Sequence, residues 1–196
     1  MPRCDPPLPS DEVLLERCRN GDERAFRCLV DRYHGALLAT ALGMLGSESE
    51  AESVVQDGFL RFYRSLGKFE GRSSLKTYLS RIVMNQALKQ LRQRRRWYHR
   101  FLSSDEAGTG LPEGSEEPEV RKLESEELAD GVRAAVQSLK PEFRSVVTLR
   151  FLNGCSTQEC SEILGVPAGT VMSRLSRALK KLAPQLAELN SRNVCR

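Results

Sequence analysis

The chain has 196 residues, of which 40% are hydrophobic and 29% are charged, and its formal net charge is +4. This length allows one large domain or two small ones, and the composition is typical of a soluble protein with compact cores. The N-terminus lacks the apolar core of a signal peptide, and the longest uncharged apolar stretch, residues 35–47, is too short to span a bilayer. We therefore expect a cytoplasmic protein with no membrane insertion of its own.

The modest net charge hides a strong segregation of charge along the chain. Residues 71–104 carry nine Lys and Arg and no acid, and residues 163–187 carry four Lys and Arg and no acid. Between them, residues 103–127 carry nine acids against two basic residues. Two basic surfaces separated by an acidic connector suggest two separate contacts with one polyanion.

The six cysteines are scattered, and none forms a Cys-x-x-Cys pair. With only two histidines besides, the sequence predicts no metal site and no cofactor. Reduced thiols are expected in a cytoplasmic protein. For Cys155 and Cys160, buried structural thiols are favoured over a redox pair.

The first half of the chain predicts four helices joined by short turns. The first follows Ser10 and stops at the Asn-Gly pair of residues 20–21, and the second opens at Asp22 and closes at Gly43 and Gly46. Ser47 and Glu50 have the spacing of a capping box, which starts a third helix that runs to about residue 65. Residues 67–72 then form a loop.

The fourth predicted helix, residues 73–100, is the most basic part of the chain, and Ser73 or Ser74 caps it. Apolar side chains recur on one face at helical spacing, which indicates packing against a core. Cations and the aromatic rings Trp97 and Tyr98 remain for the other face, a combination suited to a polyanion with accessible bases.

Residues 103–125 are rich in Ser, Gly, Pro and Glu and predict a linker. Helical periodicity returns at Leu128, and Pro141 suits the first turn of the next helix. Ser156 and Glu159 again have capping-box spacing, and after the turn at residues 165–167 a last helix runs until Pro184 disturbs it. The second domain is therefore predicted to be four short helices.

The last two predicted helices match a helix-turn-helix, the first being short and capped and the second basic. Apolar residues at helical spacing can face the core, which leaves the polar residues of the last helix for the major groove and its cations for phosphates. The charge pattern favours duplex DNA as the ligand. The side chains that this arrangement presents to DNA are Thr170, Met172, Ser173, Arg174, Ser176, Arg177, Lys180 and Lys181.

Four segments, in this order, resemble an RNA polymerase sigma factor of the small extracytoplasmic-function (ECF) type, which is the two-domain group 4 of the σ70 family. They are residues 20–33, 50–71, 73–96 and 139–182, and together they cover most of residues 11–185. The resemblance implies an all-α fold of two small domains joined by a flexible acidic linker. It places a four-helix σ2-like domain at residues 10–100, the linker at 101–127 and a σ4-like helix-turn-helix domain at 128–190.

The resemblance also implies roles for single residues. The third helix is expected to bind the clamp helices of the polymerase β′ subunit through Ser53, Gln56, Asp57, Phe59 and Leu60, although Ser53 replaces the family's Asp and Phe59 also suits packing. The loop at residues 68–74, with Asn85, is expected to capture a base flipped from the −10 strand. The residues implied in −10 binding are Phe69, Gly71, Arg72, Ser73, Lys76, Asn85, Arg92, Arg95 and Arg96.

The last helix is expected to read the −35 duplex, and here Met172 stands where many relatives have a basic residue. The implied partners are core RNA polymerase (the β′ clamp helices and the β subunit), promoter DNA and an anti-sigma factor that can hold the protein at the membrane. No catalytic residue and no metal ligand are implied.

Two alternatives remain open from the sequence. An ordinary helix-turn-helix regulator would explain residues 128–190 but would leave the basic helix of residues 73–100 without a purpose. An enzyme is disfavoured because the chain has no phosphate-binding loop, metal-ligand cluster or nucleophile motif.

Overall fold

Residues 9–102 and 123–194 are described in the computed structural model, and within them the chain forms eight α-helices and no β-strand. The helices of the first half are α1 (Asp11–Arg19), α2 (Glu23–Leu45), α3 (Glu48–Ser65) and α4 (Leu75–Leu102), with a 3-10 turn at Leu66–Lys68. Those of the second half are α5 (Leu123–Ser138), α6 (Pro141–Val147), α7 (Thr157–Leu164) and α8 (Ala168–Val194), with a π-helical turn at Thr148–Leu152. The predicted all-α class is confirmed. Most of the expected linker lies outside the described residues.

Local capping explains where the first helices begin and end. The Ser10 side chain accepts a hydrogen bond from the backbone N–H of Val13, and Asp22 accepts from the first-turn N–H groups of α2. Gly46 ends α2 in the left-handed conformation, with φ of 74°, which a glycine adopts without strain. These boundaries agree with those predicted from the sequence.

Only one of the two expected capping boxes forms. At α7 the Ser156 side chain accepts from the N–H of Glu159, and the Glu159 carboxylate accepts from the N–H of Ser156. These hydrogen bonds lower the pKa of Glu159. At α3 the prediction of a capping box at Ser47 and Glu50 is wrong. The Ser47 side chain makes no cap hydrogen bond, and Glu50 pairs with Arg94 of α4 instead. A charged tertiary partner has outcompeted the local backbone donor.

The core of the first domain is built around Phe62, which is completely buried. Its ring lies within 6.1–6.4 Å of the rings of Phe26, Phe69 and Tyr78. These side chains come from α2, the α3–α4 loop and α4, so the cluster joins the elements that flank α3. The loop after α3 is therefore attached to the core through Phe69.

The last helix is longer than the sequence suggests, and the prediction that Pro184 disturbs it is wrong. Helix α8 continues through Pro184 to Val194. Its second half packs against α5, where Leu189 lies over Gly131. Leu186 packs against a small core cluster of the second domain, which consists of Ala135, Leu139, Phe143, Val147, Ala178 and Leu182. A Cβ at Gly131 would be 2.6 Å from Leu189, so the lack of a side chain at this glycine allows α5 and α8 to approach closely. Tertiary packing thus offsets the hydrogen bond that proline removes.

The two domains pack directly against each other, which the sequence does not predict. The main core cluster contains residues of both halves, including Val146, Leu149 and Ile163 beside Leu37 and Val83. Helix α2 contacts α5, α6 and the π-helical turn, and α4 contacts α7. The first helix of the helix-turn-helix is therefore seated on a flank of the basic helix α4.

Candidate nucleic-acid interface

Helix α4 divides into a buried face and a basic face, as its periodicity predicts. Leu75, Leu79 and Val83 are buried in the main core cluster. The cations of the other face project from a helix that this packing holds in place. Five cations of α4 are exposed among the side chains that the structure describes: Arg81, Lys89, Arg92, Arg95 and Arg96.

The arginine triplet at residues 94–96 does not act as one unit. Arg94 is half-buried and forms a salt bridge with Glu50 at the start of α3. Arg95 and Arg96 are exposed. Since successive residues on a helix point in different directions, one arginine holds α4 to α3 and the other two face solvent. Arg95 and Arg96 are therefore accessible to a ligand, and Arg94 is occupied within the domain.

Asn85 is exposed and lines an open cleft of about 360 Å³ between α3 and α4. A cleft of this size can accept a small planar ligand, and an amide offers both a donor and an acceptor. Lys89 and Arg61 give the cleft a positive charge. The cleft is lined by Arg61, Ser65, Tyr78, Ile82, Asn85, Gln86 and Lys89.

The loop between α3 and α4 lines a different cleft from the one that contains Asn85. This second cleft, of about 790 Å³, lies between α1 and residues 69–75, and Gly71 and Ser73 are among its lining residues. The Phe69 and Tyr78 rings, whose centroids are 4.9 Å apart, form the wall between the two clefts. The structure therefore does not bring Gly71 and Ser73 into one pocket with Asn85. Phe69 itself is buried, and Arg72 is exposed and paired with Glu70.

Arg19 of α1 makes a contact that the sequence does not predict. Its Nη2 donates a hydrogen bond of 2.7 Å to the carbonyl oxygen of Phe69, fifty residues further along the chain. Helix α1 is itself held to α2, because Arg32 donates to Asp11 Oδ1 and to the Pro9 carbonyl oxygen. The loop is thus tethered from two sides, by the Phe69 ring in the core and by Arg19 outside it. No local pattern in the sequence marks such a long-range bond.

The surface of α3 presents most of the residues predicted to bind core polymerase. Ser53, Gln56, Asp57 and Leu60 are exposed, and the Leu60 residue is 55% exposed. Phe59 is buried in the main core cluster, so its side chain packs and is not available on this surface.

Helices α7 and α8 form the helix-turn-helix, with Gly165 at φ of 64° in the turn between them. Val171, Ala178 and Leu182 bury one face of α8. Of the eight side chains predicted to contact DNA, Thr170 and Arg174 are half-buried and six are exposed: Met172, Ser173, Ser176, Arg177, Lys180 and Lys181. Lys181 also lies 5.6 Å from the centroid of the Phe143 ring.

Cys155 and Cys160 are both buried beside α4. A hydrogen bond between the two thiols lowers the pKa of Cys155 and raises that of Cys160. Among the described residues, no group of three or more His, Cys, Asp or Glu side chains is placed to hold a metal ion. None of the helices described has the length and apolar composition that a membrane span requires.

Family models match both halves of the chain. The model described as Sigma-70 region 2 matches residues 29–97, and the model described as Sigma-70, region 4 matches residues 129–182. The chain is 34% identical to the RNA polymerase sigma-H factor of Pseudomonas aeruginosa, over 91% of this chain and 96% of the relative. It is 38% identical to the ECF RNA polymerase sigma-E factor of Escherichia coli K12, over 86% and 90% of the two chains.

Solved structures agree with this fold. CnrH in complex with the cytosolic domain of CnrY superposes with a TM-score of 0.66 at 27% identity, over 91% of this chain and 97% of that one. The sigma factor RpoE of Bartonella quintana, in complex with the anti-sigma factor NepR, gives a TM-score of 0.63 at 24% identity, over 83% and 96%, which supports the fold.

Two helical domains with the sequences of regions 2 and 4 define a promoter-recognition subunit of RNA polymerase. The chain belongs to the extracytoplasmic-function sigma factors of the σ70 family. It directs promoter-specific transcription initiation and binds core RNA polymerase and promoter DNA. A regulator with only a helix-turn-helix would not account for the match to region 2.

We predict that Arg19→Ala lowers open-complex formation about five- to tenfold, because a lost part-buried hydrogen bond of about 1–1.4 kcal/mol frees the loop at Phe69. Permanganate reactivity of unpaired thymines measures the effect, and Arg19→Lys should restore part of it. Arg27→Ala, which removes an exposed arginine from α2, is the control for charge. Equal melting by Arg19→Ala and Arg27→Ala, with core binding unchanged, would exclude a positioning role.

Proposed function

We propose that the two domains divide promoter recognition, with −10 strand capture by the first and −35 duplex reading by the second. The observation that carries this proposal is the pair of exposed basic helical surfaces, one on α4 and one on α8, in a chain of this family. Docking on the duplex by α8 positions the first domain over the −10 region. No step requires covalent catalysis, so we infer that the protein is not an enzyme.

Base capture is assigned to the cleft that contains Asn85. Unpairing a base costs a few kcal/mol, and hydrogen bonds to an amide with stacking on an aromatic ring can offset that cost. Tyr78 supplies a ring in the same cleft, and Lys89 supplies a cation for the adjacent phosphate. Arg92, Arg95 and Arg96 extend the positive surface along α4 toward the duplex edge. We assign the loop with Gly71 and Ser73 to a contact with the DNA strand in the second cleft, on the other side of the Phe69 ring.

We assign core-polymerase binding to the exposed surface of α3, with Gln56 and Leu60 at its centre. This surface binds the β′ clamp helices. The second domain is assigned to the β subunit. Tethering both domains to polymerase raises their effective concentration at the promoter, so neither needs high affinity alone. The solved relative in complex with an anti-sigma factor supports such a partner for this chain as well. We infer a cytoplasmic protein that such a partner can hold at the membrane.

The division of labour is tested by transcription start-site mapping after overexpression, followed by run-off transcription with purified core polymerase. Scrambling the mapped −10 element should abolish open-complex formation, and scrambling the −35 element should weaken promoter binding by the second domain. Transcription that is insensitive to both changes would contradict the proposal.

For the first domain, we predict that Asn85→Ala impairs open-complex formation while core binding stays within about twofold of wild type, since Asn85 lies on α4 and not on the α3 surface. Permanganate footprinting and a core pull-down measure the two effects. Gln93→Ala, at another exposed amide of α4, is the matched control. Unchanged melting and unchanged −10 preference in Asn85→Ala would count against base capture.

For the second domain, we predict that Arg177→Ala weakens binding to the mapped −35 duplex by about 1–3 kcal/mol if the side chain reads a base. The loss should disappear on duplexes with a scrambled −35 element. Lys180→Ala, an exposed cation on the same helix, should weaken binding to both duplexes equally and reduce its salt dependence. Anisotropy titrations at two salt concentrations distinguish the two behaviours, and equal losses for Arg177→Ala on both duplexes would show a phosphate contact.

A further inference from the structure

Two cysteines face each other at the start of α7. Cys155 precedes the cap residue Ser156, and Cys160 is the fourth residue of the helix. The side chains at these two positions of a capped helix pack together, and they are usually apolar. Here a hydrogen bond joins the two thiols, and Cys160 Sγ also lies 4.0 Å from the Cys155 carbonyl oxygen. The helix therefore begins with a pair of free thiols in direct contact.

The backbone holds both thiols in place. The N–H of Cys155 donates to the Leu149 carbonyl oxygen at 2.9 Å, and the N–H of Cys160 donates to that of Ser156 at 2.9 Å. The capping box formed by Ser156 and Glu159 fixes the chain between the two cysteines. Groups that the fold positions in advance lose little conformational entropy when a ligand joins them.

Both thiols lie just below the surface. Cys155 is 2% exposed and Cys160 is 0% exposed, and both belong to the main core cluster. The residues on either side of Cys155 in the loop, Gly154 and Ser156, are exposed. A small ion therefore has a short route to a pair of sulfurs from which water is excluded.

Lys76 and Arg150 place positive charge beside Cys155. Arg150 Nη1 donates to the Cys155 carbonyl oxygen at 2.6 Å, and Lys76 Nζ donates to that of Asn153 at 2.9 Å. The hydrogen bond from Cys160 lowers the pKa of the Cys155 thiol, and the two cations lower it further, although burial raises it. The surroundings of this sulfur thus favour the thiolate, which is the form that binds metals.

The charge and the number of ligands select the kind of ion. The Glu159 carboxylate also acts on both thiols, so the two cations and this carboxylate leave one positive charge at the pair. A monovalent cation held by two thiolates carries one negative charge, which balances it, whereas a divalent cation would leave it unbalanced.

The donor set also excludes the commonest structural metal. Zn²⁺ takes four ligands in structural sites, and the described part of the chain has no group of three or more His, Cys, Asp or Glu placed to hold an ion. Thiolates are soft ligands that select Cu(I), and this ion accepts two ligands in a linear arrangement. A pair of thiols with one compensating positive charge therefore fits Cu(I).

We propose that Cys155 and Cys160 form a two-coordinate binding site for Cu(I) at the start of the helix-turn-helix. On binding, each thiol gives its proton to solvent and each sulfur forms one bond to the metal, whose oxidation state does not change. The bound ion joins the loop at residues 153–156 to α7 and stabilises the folded chain. Neither thiol is assigned to DNA or to polymerase, so this proposal does not depend on the proposed function.

Competition with bicinchoninate measures the affinity of the full-length chain for Cu(I) in the absence of oxygen. Cys4, Cys28 and Cys195 are first replaced by Ser, so that the pair is tested apart from these thiols. This triple-serine chain should bind one Cu(I).

Single substitutions in the triple-serine chain test each ligand. Cys155→Val or Cys160→Val keeps an apolar side chain in the core and should weaken binding about 100-fold or more, because one thiol remains and the chelate is lost. Cys18→Val, at another buried cysteine, is the matched control and should leave the affinity unchanged. Circular dichroism checks that the variants keep their helices.

X-ray absorption at the copper edge reports the coordination with the pair intact. The triple-serine chain should show two sulfur neighbours in a linear arrangement. The affinity should rise about 10- to 100-fold per pH unit near neutral pH, since one or two protons leave on binding. Cu(I) in excess should raise the Tm of the triple-serine chain by about 5–10 °C.

Binding that survives Cys155→Val or Cys160→Val, or that falls equally in Cys18→Val, would overturn the proposal. So would three or more ligands at the copper, or a triple-serine chain that binds no Cu(I). If a valine variant loses its helices, the coordination of copper in the triple-serine chain decides. Loss of run-off transcription with core polymerase would overturn the proposed function instead and would leave the Cu(I) site standing.

Discussion

The whole molecule depends on one helix, α4, being apolar on one side and cationic on the other. Burying Leu75, Leu79 and Val83 contributes about 1.5–3 kcal/mol each. Like charges at helical spacing, such as Arg92 with Arg96, oppose the helix by about 0.2–0.5 kcal/mol per pair. The packing energy therefore exceeds the repulsion several-fold, and α4 stays folded although its cations lie close together on one face.

The core that holds α4 also positions the two clefts on either side of it. Phe62 anchors Phe69 and Tyr78, and these two rings separate the cleft with Asn85 from the cleft beside α1. Asn85 and Lys89 lie on one side of these rings, and the α3–α4 loop with Gly71 lies on the other. The aromatic cluster thus links the stability of the domain to the shape of its nucleic-acid surface.

The arrangement of the two domains connects stability to function in a second way. Arg144 and Gln137 complete α2, while Asn153 engages Lys76 and Ser80 of α4. The second domain consequently satisfies backbone groups of the first, although six of the eight side chains of α8 that are predicted to contact DNA stay exposed. The contact between the domains combines these polar bonds with apolar packing, because Val146, Leu149 and Ile163 of the second domain lie in the main core cluster.

The sequence by itself determined the helical class, most helix boundaries, the segregation of charge and the family. Those features arise from periodicity, capping and composition, which act over a few residues. It also identified the exposed Gln56, Asn85 and Arg177. Only the tertiary structure decided that Glu50 pairs with Arg94, that Arg19 tethers Phe69, that Asn85 and Gly71 line different clefts, and that α8 passes Pro184. These outcomes depend on contacts between residues distant in the chain, and local pattern carries no information about which of them meet.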